Sequence, residues 1–447
     1  MDLYTPHTLL PYFDQCDQLV STDTRALPPG AMFFALRGPN FNGNQYAAQA
    51  LELGAAYVVV DDPAYTPAGD ERYLSVENTL EALQGLAREH RRRFEFPVFG
   101  LTGSNGKTTT KELIYSVLQT RKLVRATKGN FNNHIGVPLT LLSIPLDTEI
   151  AIVEMGANQP GDIQELVEIA EPTHGLITNV GAAHLEKLGD LDGVQRTKGA
   201  LFDFLGAHEG TIFVNESDAR VVAAARDIQP RTTYGTEESD YWLEISQNRL
   251  EGMELKVYSR YWEGGQPFES SLSGTHNAQN ILAAISVGDR FGLPIAALQE
   301  GIAAYSSSNN RSQLIRQGNF TLWLDAYNAN PSSMRATIQH IFQSDDTDQV
   351  ALVLGDMYEV GENTEEVHRE LGTFVSDFDP HVVIGIGKAM QHLVEALGKN
   401  AHWYESIEEV SSKLPSLLAG VDTILVKGSR AMALEKILDY LPGESSE

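Results

Sequence analysis

The segment Val98-Phe-Gly-Leu-Thr-Gly-Ser-Asn-Gly-Lys-Thr-Thr-Thr110 runs from an apolar stretch through a glycine-rich turn to a lysine and three threonines. Glycines let backbone N–H groups turn toward an anion, and a helix N-terminus adds partial positive charge. Lys107 adds a full charge, and Thr108 stands where a hydroxyl would meet Mg²⁺. Gly103, Ser104, Asn105, Gly106, Lys107, Thr108 and Thr109 are therefore expected to hold the phosphates of a nucleoside triphosphate. The spacing differs from the common P-loop, because Gly103 stands three positions before Gly106 instead of five. A glycine turn that merely caps a helix is the competing reading.

Further groups stand at predicted strand ends. Glu154 closes an apolar run and suits a Mg²⁺ ligand, or else a capping carboxylate. His184 follows the apolar run 175–178 and Lys198 lies in the next helix; spacing alone leaves them open between ligand and ordinary structural residue. Asn277 could cap an apolar helix over 281–287, and Asn280 could offer both donors and an acceptor to a purine. Arg311 ends a polar run and could reach phosphate across a cleft. Asp325 closes another strand and suits ribose hydroxyls, while Asn330-Pro331 reads as a helix start. Lys427-Gly-Ser-Arg430 again sets a glycine turn and two cations between strand and helix.

Apolar runs alternating with helical patterns must position these groups. Strands are predicted at 31–36, 55–60, 150–153, 175–178, 211–214, 320–324, 350–354, 382–385 and 423–426, and helices at 46–53, 86–94, 108–119, 161–170, 191–205, 332–342, 364–375, 390–397 and 431–441. Such alternation predicts α/β architecture with parallel sheets. The polar run 306–312 reads as a linker and 443–447 as a frayed acidic tail. Three domains are expected, at 1–95, 96–308 and 309–447, the second a parallel-sheet, P-loop ATPase-like unit and the third doubly wound and Rossmann-like.

The chain has 447 residues, 42% of them hydrophobic, which suits globular cores. Its 33 basic and 60 acidic residues give a formal net charge of −27, opposite to what nucleic-acid binding needs. Cys16 is the single cysteine, so no intrachain disulfide can form. There is no signal-like opening and no run of membrane-span length, so no membrane insertion and a cytoplasmic location are expected.

Together the segments resemble the Mur ligase family, the ATP-dependent amide-forming enzymes of peptidoglycan synthesis. The resemblance rests on Thr102–Thr108, Thr127-Lys-Gly-Asn-Phe-Asn-Asn-His-Ile-Gly-Val-Pro138, Val153–Asn158, the His184 segment, Thr197–Ala200, His276–Asn280 and Lys427–Arg430, in that order. Tyr327-Asn-Ala-Asn-Pro331 and Leu354-Gly-Asp-Met357, with Glu359 and His368, are similar to the branch that joins D-alanyl-D-alanine to UDP-N-acetylmuramoyl-tripeptide. Two departures stand out: Asn42-Gly43-Asn44 replaces the usual Asp-Gly-His, and Leu324 replaces the first of two acids.

The resemblance implies a small α/β UDP-binding domain at 1–95, with Thr24 and Arg25 on the UDP substrate, and ATP contacts from Asn280, Arg311 and Asp325. It implies substrate contacts from Asn132, Asn133, Tyr327, Asn328, Lys427 and Arg430, and Lys107, His184 and Lys198 as catalytic residues. It implies two Mg²⁺ ions held with Thr108, Glu154, His184 and Lys198, the lysine as a carbamate. The expected partners are the UDP-sugar tripeptide and D-alanyl-D-alanine, with the chain a monomer whose domains close around ATP. The rivals are a diaminopimelate-adding ligase of the same family, a folylpolyglutamate synthase, and, in another class, a nucleotide-binding switch or motor.

Overall fold

A computed structural model describes residues 3–307, 310–344, 347 and 349–441. The tail 443–447 and part of the expected linker, residues 308 and 309, lie outside the described residues. The chain builds three main sheets. The first is parallel and holds β1 (Val20–Ser21), β2 (Met32–Phe34), β3 (Tyr57–Val60) and β4 (Tyr73–Ser75), in that order.

The second sheet contains β5 (Val98–Thr102), β6 (Val124–Ala126), β7 (Ile150–Glu154), β8 (His174–Ile177), β9 (Thr211–Asn215) and β10 (Arg231–Tyr234), extended by β11 (Tyr241–Arg249), β12 (Gly252–Ser259) and β13 (Gln266–Ser270). Its order is β13-β12-β11-β10-β9-β8-β5-β7-β6. Strand β5 lies in the middle, flanked by β7 and β8, and every one of its residues is buried. That burial explains its unbroken apolar run, since a central parallel strand is covered on both faces.

The third sheet holds β14 (Gln313–Gln317), β15 (Phe320–Asp325), β16 (Val350–Gly355), β17 (Val382–Ile386), β18 (Ala401–Tyr404) and β19 (Thr423–Lys427), ordered β14-β15-β19-β16-β17-β18. All but β14 are parallel. The strand order reverses between β15 and β16, which lie on either side of β19, so the carboxyl ends there open a crevice. The α/β class with parallel sheets is as expected. The helices that matter for the site are α1 (Thr79–Arg91), α2 (Lys107–Leu118), α3 (Leu191–Ala207), α4 (Thr275–Arg290), α5 (Pro331–Gln343) and α6 (Met390–Leu397).

Three expectations need correction. The helix expected over 431–441 is instead two 3-10 segments, Arg430–Met432 and Leu434–Tyr440, interrupted by Ala433 at φ 49°. A left-handed alanine breaks the α-helical ladder that the apolar spacing suggests. Helix α4 begins at Thr275, so Asn277 lies inside its first turn and donates to Ser273 O at 2.9 Å without capping it. The antiparallel extension β11–β13 went unpredicted, although β12 alternates Met253, Leu255 and Val257 inward against Glu254 and Lys256 outward. No described helix is long and apolar enough to cross a membrane.

Candidate active site

Strand β5 delivers the glycine turn to the start of α2, as the apolar-to-glycine transition predicts. Two glycines are required there. A Cβ on Gly103, at φ 154°, would lie 1.8 Å from Thr178 Oγ1; one on Gly106, at φ 75°, would lie 2.7 Å from Asn280 Oδ1. Gly106 is the left-handed residue that starts α2. Neighbouring strand β8 pins the turn: Ser104 N donates to Asn179 O at 3.0 Å and Asn105 N to Asn179 Oδ1 at 3.0 Å. Thr178 Oγ1 donates to Asn105 O at 2.7 Å, and Ser104 Oγ donates to Gly181 O at 2.9 Å.

Three cationic or potentially cationic groups converge on this turn. Lys107 Nζ donates to Gly103 O at 2.8 Å and Ser104 O at 3.2 Å. Lys198, reaching from α3 with 1% of its surface exposed, donates to the same Gly103 O at 2.9 Å. Burial, and then the nearby Lys107 charge, push the Lys198 amine well below the usual lysine range. His184 is lowered from 6.5 to about 4 by burial and by Lys107, Lys198 and Lys187. Its φ of 52° is a left-handed conformation that costs a non-glycine residue roughly 1–2 kcal/mol, and such strain gathers at functional sites.

Glu154 ends β7 with 1% exposure. Its Oε1 accepts from Asn132 Nδ2 at 2.8 Å and Thr108 Oγ1 at 3.3 Å, while its buried Oε2 has no hydrogen-bond partner among the described residues. A buried carboxylate oxygen without a partner is costly, and beside a hydroxyl it suits a hard cation with oxygen ligands. Among the described residues no group of three His, Cys, Asp or Glu could hold a metal by itself. Mg²⁺ takes one or two carboxylates and draws its other ligands from phosphate and water, and the Glu154 carboxylate beside the Thr108 hydroxyl suits such a set.

The remaining expected residues divide by position. Asn280, 7% exposed, packs on Gly106 and accepts from Thr110 Oγ1 at 3.1 Å, while Thr109 stands in the first turn of α2. Asn133 Oδ1 accepts from Gly136 N at 2.8 Å and Ile135 N at 3.1 Å, holding the start of the helix Gly136–Leu142. Arg311 lies over the Tyr327 ring at 3.6 Å. Burial, and to a smaller extent the Arg311 charge, lowers the Lys107 amine below its usual range. Asp325 is paired with buried Lys427, whose Nζ also reaches Asn328 O at 3.3 Å. Arg430 pairs with Glu435 on the surface at 2.5 Å. Thr24 and Arg25 form an exposed 3-10 turn of the first sheet, with Arg25 Nη2 on Asp23 Oδ2 at 2.7 Å. In the Asn42-Gly43-Asn44 segment, Asn44 Nδ2 donates to Asp61 Oδ1 at 2.8 Å.

Three residues were overlooked as site residues. Glu359 Oε2 lies 3.3 Å from His184 Nδ1, and burial raises the Glu359 carboxyl above its usual range. It follows β16, so its place past a parallel strand end was a readable signal. Asn330 and Ser332 meet Asn105 across the seam between the second and third sheets. No sequence pattern marks that pairing, because the partners are 225 and 227 residues apart. At the carboxyl ends of β16 and β17 lies an open crevice of about 690 Å³ lined by Asp356, Tyr358, Gly387, Lys388, Glu405 and Lys436.

Comparisons with known proteins agree with this layout. Residues 18–91 match the Mur ligase family catalytic domain, 101–288 the Mur ligase middle domain and 310–430 the Mur ligase glutamate ligase domain. The Bacillus subtilis UDP-N-acetylmuramoyl-tripeptide–D-alanyl-D-alanine ligase is 35% identical over 430 residues, covering 94% of this chain and 92% of the relative. The crystal structure of MurF from Acinetobacter baumannii superposes with a TM-score of 0.87 at 27% identity, covering 98% of each chain. The Thermotoga maritima MurF ligase in complex with ADP gives 0.85 at 25% identity, covering 96% of this chain and 97% of that one. The chain belongs to the Mur ligase family.

Proposed function

We infer that the chain is an ATP-dependent ligase that joins D-alanyl-D-alanine to the terminal carboxylate of UDP-N-acetylmuramoyl-tripeptide in peptidoglycan synthesis. The observation that carries the chemistry is the convergence of Lys107, Lys198 and Glu154 on one glycine turn at the end of a buried parallel strand. The substrate carboxylate attacks the γ-phosphorus of ATP and ADP leaves, forming an acyl phosphate. The free amine of the dipeptide then attacks the carbonyl carbon, and phosphate leaves from the tetrahedral intermediate. The central problem is the mutual repulsion of carboxylate, γ-phosphate and oxyanion, which fixed cations and backbone N–H groups offset without reorganising.

In this reading Lys107 and the N–H groups of Gly103–Thr109 bind the phosphates, and Asn280, Arg311 and Asp325 hold the rest of the nucleotide. Thr108 and Glu154 would hold one Mg²⁺, and His184 with Lys198 as a carbamate a second; bound Mg²⁺ would supply charge neutralisation at the transferring phosphoryl group. The depressed Lys198 favours the neutral amine, the form that adds CO₂ to become a carbamate. Units 1–95, 96–308 and 309–447 take the UDP end, ATP and the amine donor respectively. Thr24 and Arg25 face the uridine diphosphate, and Asn132, Asn133, Tyr327 and Asn328 the peptide ends. The crevice beside β16 and β17 carries carboxylates (Asp356, Glu405) and ammonium groups (Lys388, Lys436), a pairing suited to a zwitterionic dipeptide. The chain acts as a cytoplasmic monomer.

Phosphate release measured with one substrate omitted at a time tests this reading. The expected result is release only when ATP, UDP-sugar tripeptide and D-alanyl-D-alanine are all present. Release with ATP alone would favour a switch or motor. For the carbamate, folded Lys198→Ala is expected to lose activity and to regain part of it with a short carboxylate. Unchanged activity of that variant, with and without bicarbonate, would remove the carbamate.

A further inference from the structure

The phosphate turn is held from two sides. Its backbone is fixed from within the second unit, by Thr178 and Asn179 just past β8 and by Lys107 and Lys198 on the Gly103 carbonyl. The Asn105 side chain faces the third sheet. Its Nδ2 donates to Ser332 Oγ at 3.0 Å, and its Oδ1 accepts from Asn330 Nδ2 at 2.7 Å. Ser332 Oγ donates in turn to Asn330 Oδ1 at 2.9 Å, closing a ring of three side chains. Donor and acceptor of the Asn105 amide are thus both matched by one short segment, which makes the contact directional.

That segment is tied to its helix by a capping box. Asn330 caps α5, its Oδ1 accepting from Ser333 N at 2.9 Å, while Ser333 Oγ accepts from Asn330 N at 3.1 Å and Pro331 occupies the first helical position. The ring therefore reports where the whole of α5 stands, and α5 belongs to the unit that carries the amine-donor crevice. The seam is close there: a Cβ on Gly181 would lie 3.4 Å from Ser332 Oγ. A second contact crosses the same seam where Glu359 meets His184.

We propose that Asn105, Asn330 and Ser332 form a positioning clasp that holds α5, and the unit it belongs to, against the phosphate turn in the working arrangement. Phosphoryl transfer is thereby tied to the presence of the unit that delivers the amine. The inference rests on the ligase reading, and it assigns Ser332 and Asn330 a role in turnover without contact to substrate. Because the turn's backbone is pinned independently, the clasp governs kcat and not nucleotide affinity.

The test is a double-mutant cycle on the full chain with Asn105→Ala, Ser332→Ala and both together, reading kcat, ADP dissociation constant and melting temperature. Each single substitution is expected to lower kcat about five- to tenfold, the scale of one lost hydrogen bond, and the pair no more than the worse single. Ser332→Ala is expected to keep ADP affinity within about twofold, and Ser332→Thr, which retains the hydroxyl, to restore most of kcat. Multiplicative losses in the pair, wild-type kcat in Ser332→Ala, or ADP affinity falling in step with kcat would overturn the clasp. A wild-type protein without ligase activity would instead overturn the ligase reading.

Discussion

Two turns of this molecule share a composition and end differently. Gly103–Lys107 and Lys427–Arg430 each set glycine and cations just past a buried parallel strand. In the first, Lys107 bonds, among the described residues, carbonyls of its own turn, and a 12-residue α-helix follows with its N–H groups aimed at the turn. In the second, Lys427 is buried against the Asp325 carboxylate, Arg430 is paired with Glu435, and a three-residue 3-10 segment follows. A cation already held by a carboxylate must exchange that partner before it can serve an incoming anion. The difference lies in the neighbours: carbonyl oxygens surround Lys107, whereas β15 and β19 run side by side and set Asp325 opposite Lys427.

The largest effect should come from breaking the first turn. Lys107→Met is expected to lower ligase turnover by about two to three orders of magnitude in a phosphate-release assay, while the fold melts near the wild-type temperature. The second turn should respond in the opposite way. Lys427→Met strands a buried carboxylate and should cost about 3–5 kcal/mol in denaturant unfolding; adding Asp325→Leu should recover most of it. A stable but inactive Lys427→Met would place the second turn back among the anion sites.

A third prediction concerns buried histidines. His340 of α5, 4% exposed, and His174 are lowered from 6.5 to about 4, chiefly by burial. The unfolded chain takes up these protons near pH 6.5 and the folded chain not until about pH 4. Stability should therefore be complete above pH 6.5 and fall as pH drops toward 4, seen as a declining melting temperature that His340→Gln makes shallower. The smallest effect is expected of Arg430→Ala, since an exposed pair with Glu435 contributes at most about 1 kcal/mol. A large loss of substrate affinity in that variant would show that Arg430 exchanges Glu435 for a ligand.

Legibility followed burial and periodicity. Strand β5, strand β7 and helix α2 were readable because central parallel strands are unbroken apolar runs and the glycine turn announces a helix. The hairpin β11–β12 carries the alternation of a half-buried strand, but it follows an α/β repeat whose pattern gives no sign of an antiparallel extension. The segment after Lys427 reads as a helix by apolar spacing, and only the left-handed Ala433 divides it. Asn277 reads as a cap until the helix is seen to start two residues earlier.

By itself the sequence determined that a phosphate turn exists, that Glu154, His184 and Lys198 belong near strand ends or helices in an α/β frame, and that the order of motifs is that of a Mur ligase. These are local properties: glycine content, apolar period and the order of segments along one chain. Tertiary structure alone decided which charges are already paired, that Lys198 and Lys107 share the Gly103 carbonyl, and that Asn105 meets Asn330 and Ser332. Those facts depend on packing between residues tens to hundreds of positions apart. There desolvation and hydrogen-bond geometry, not residue type, set what each side chain can do.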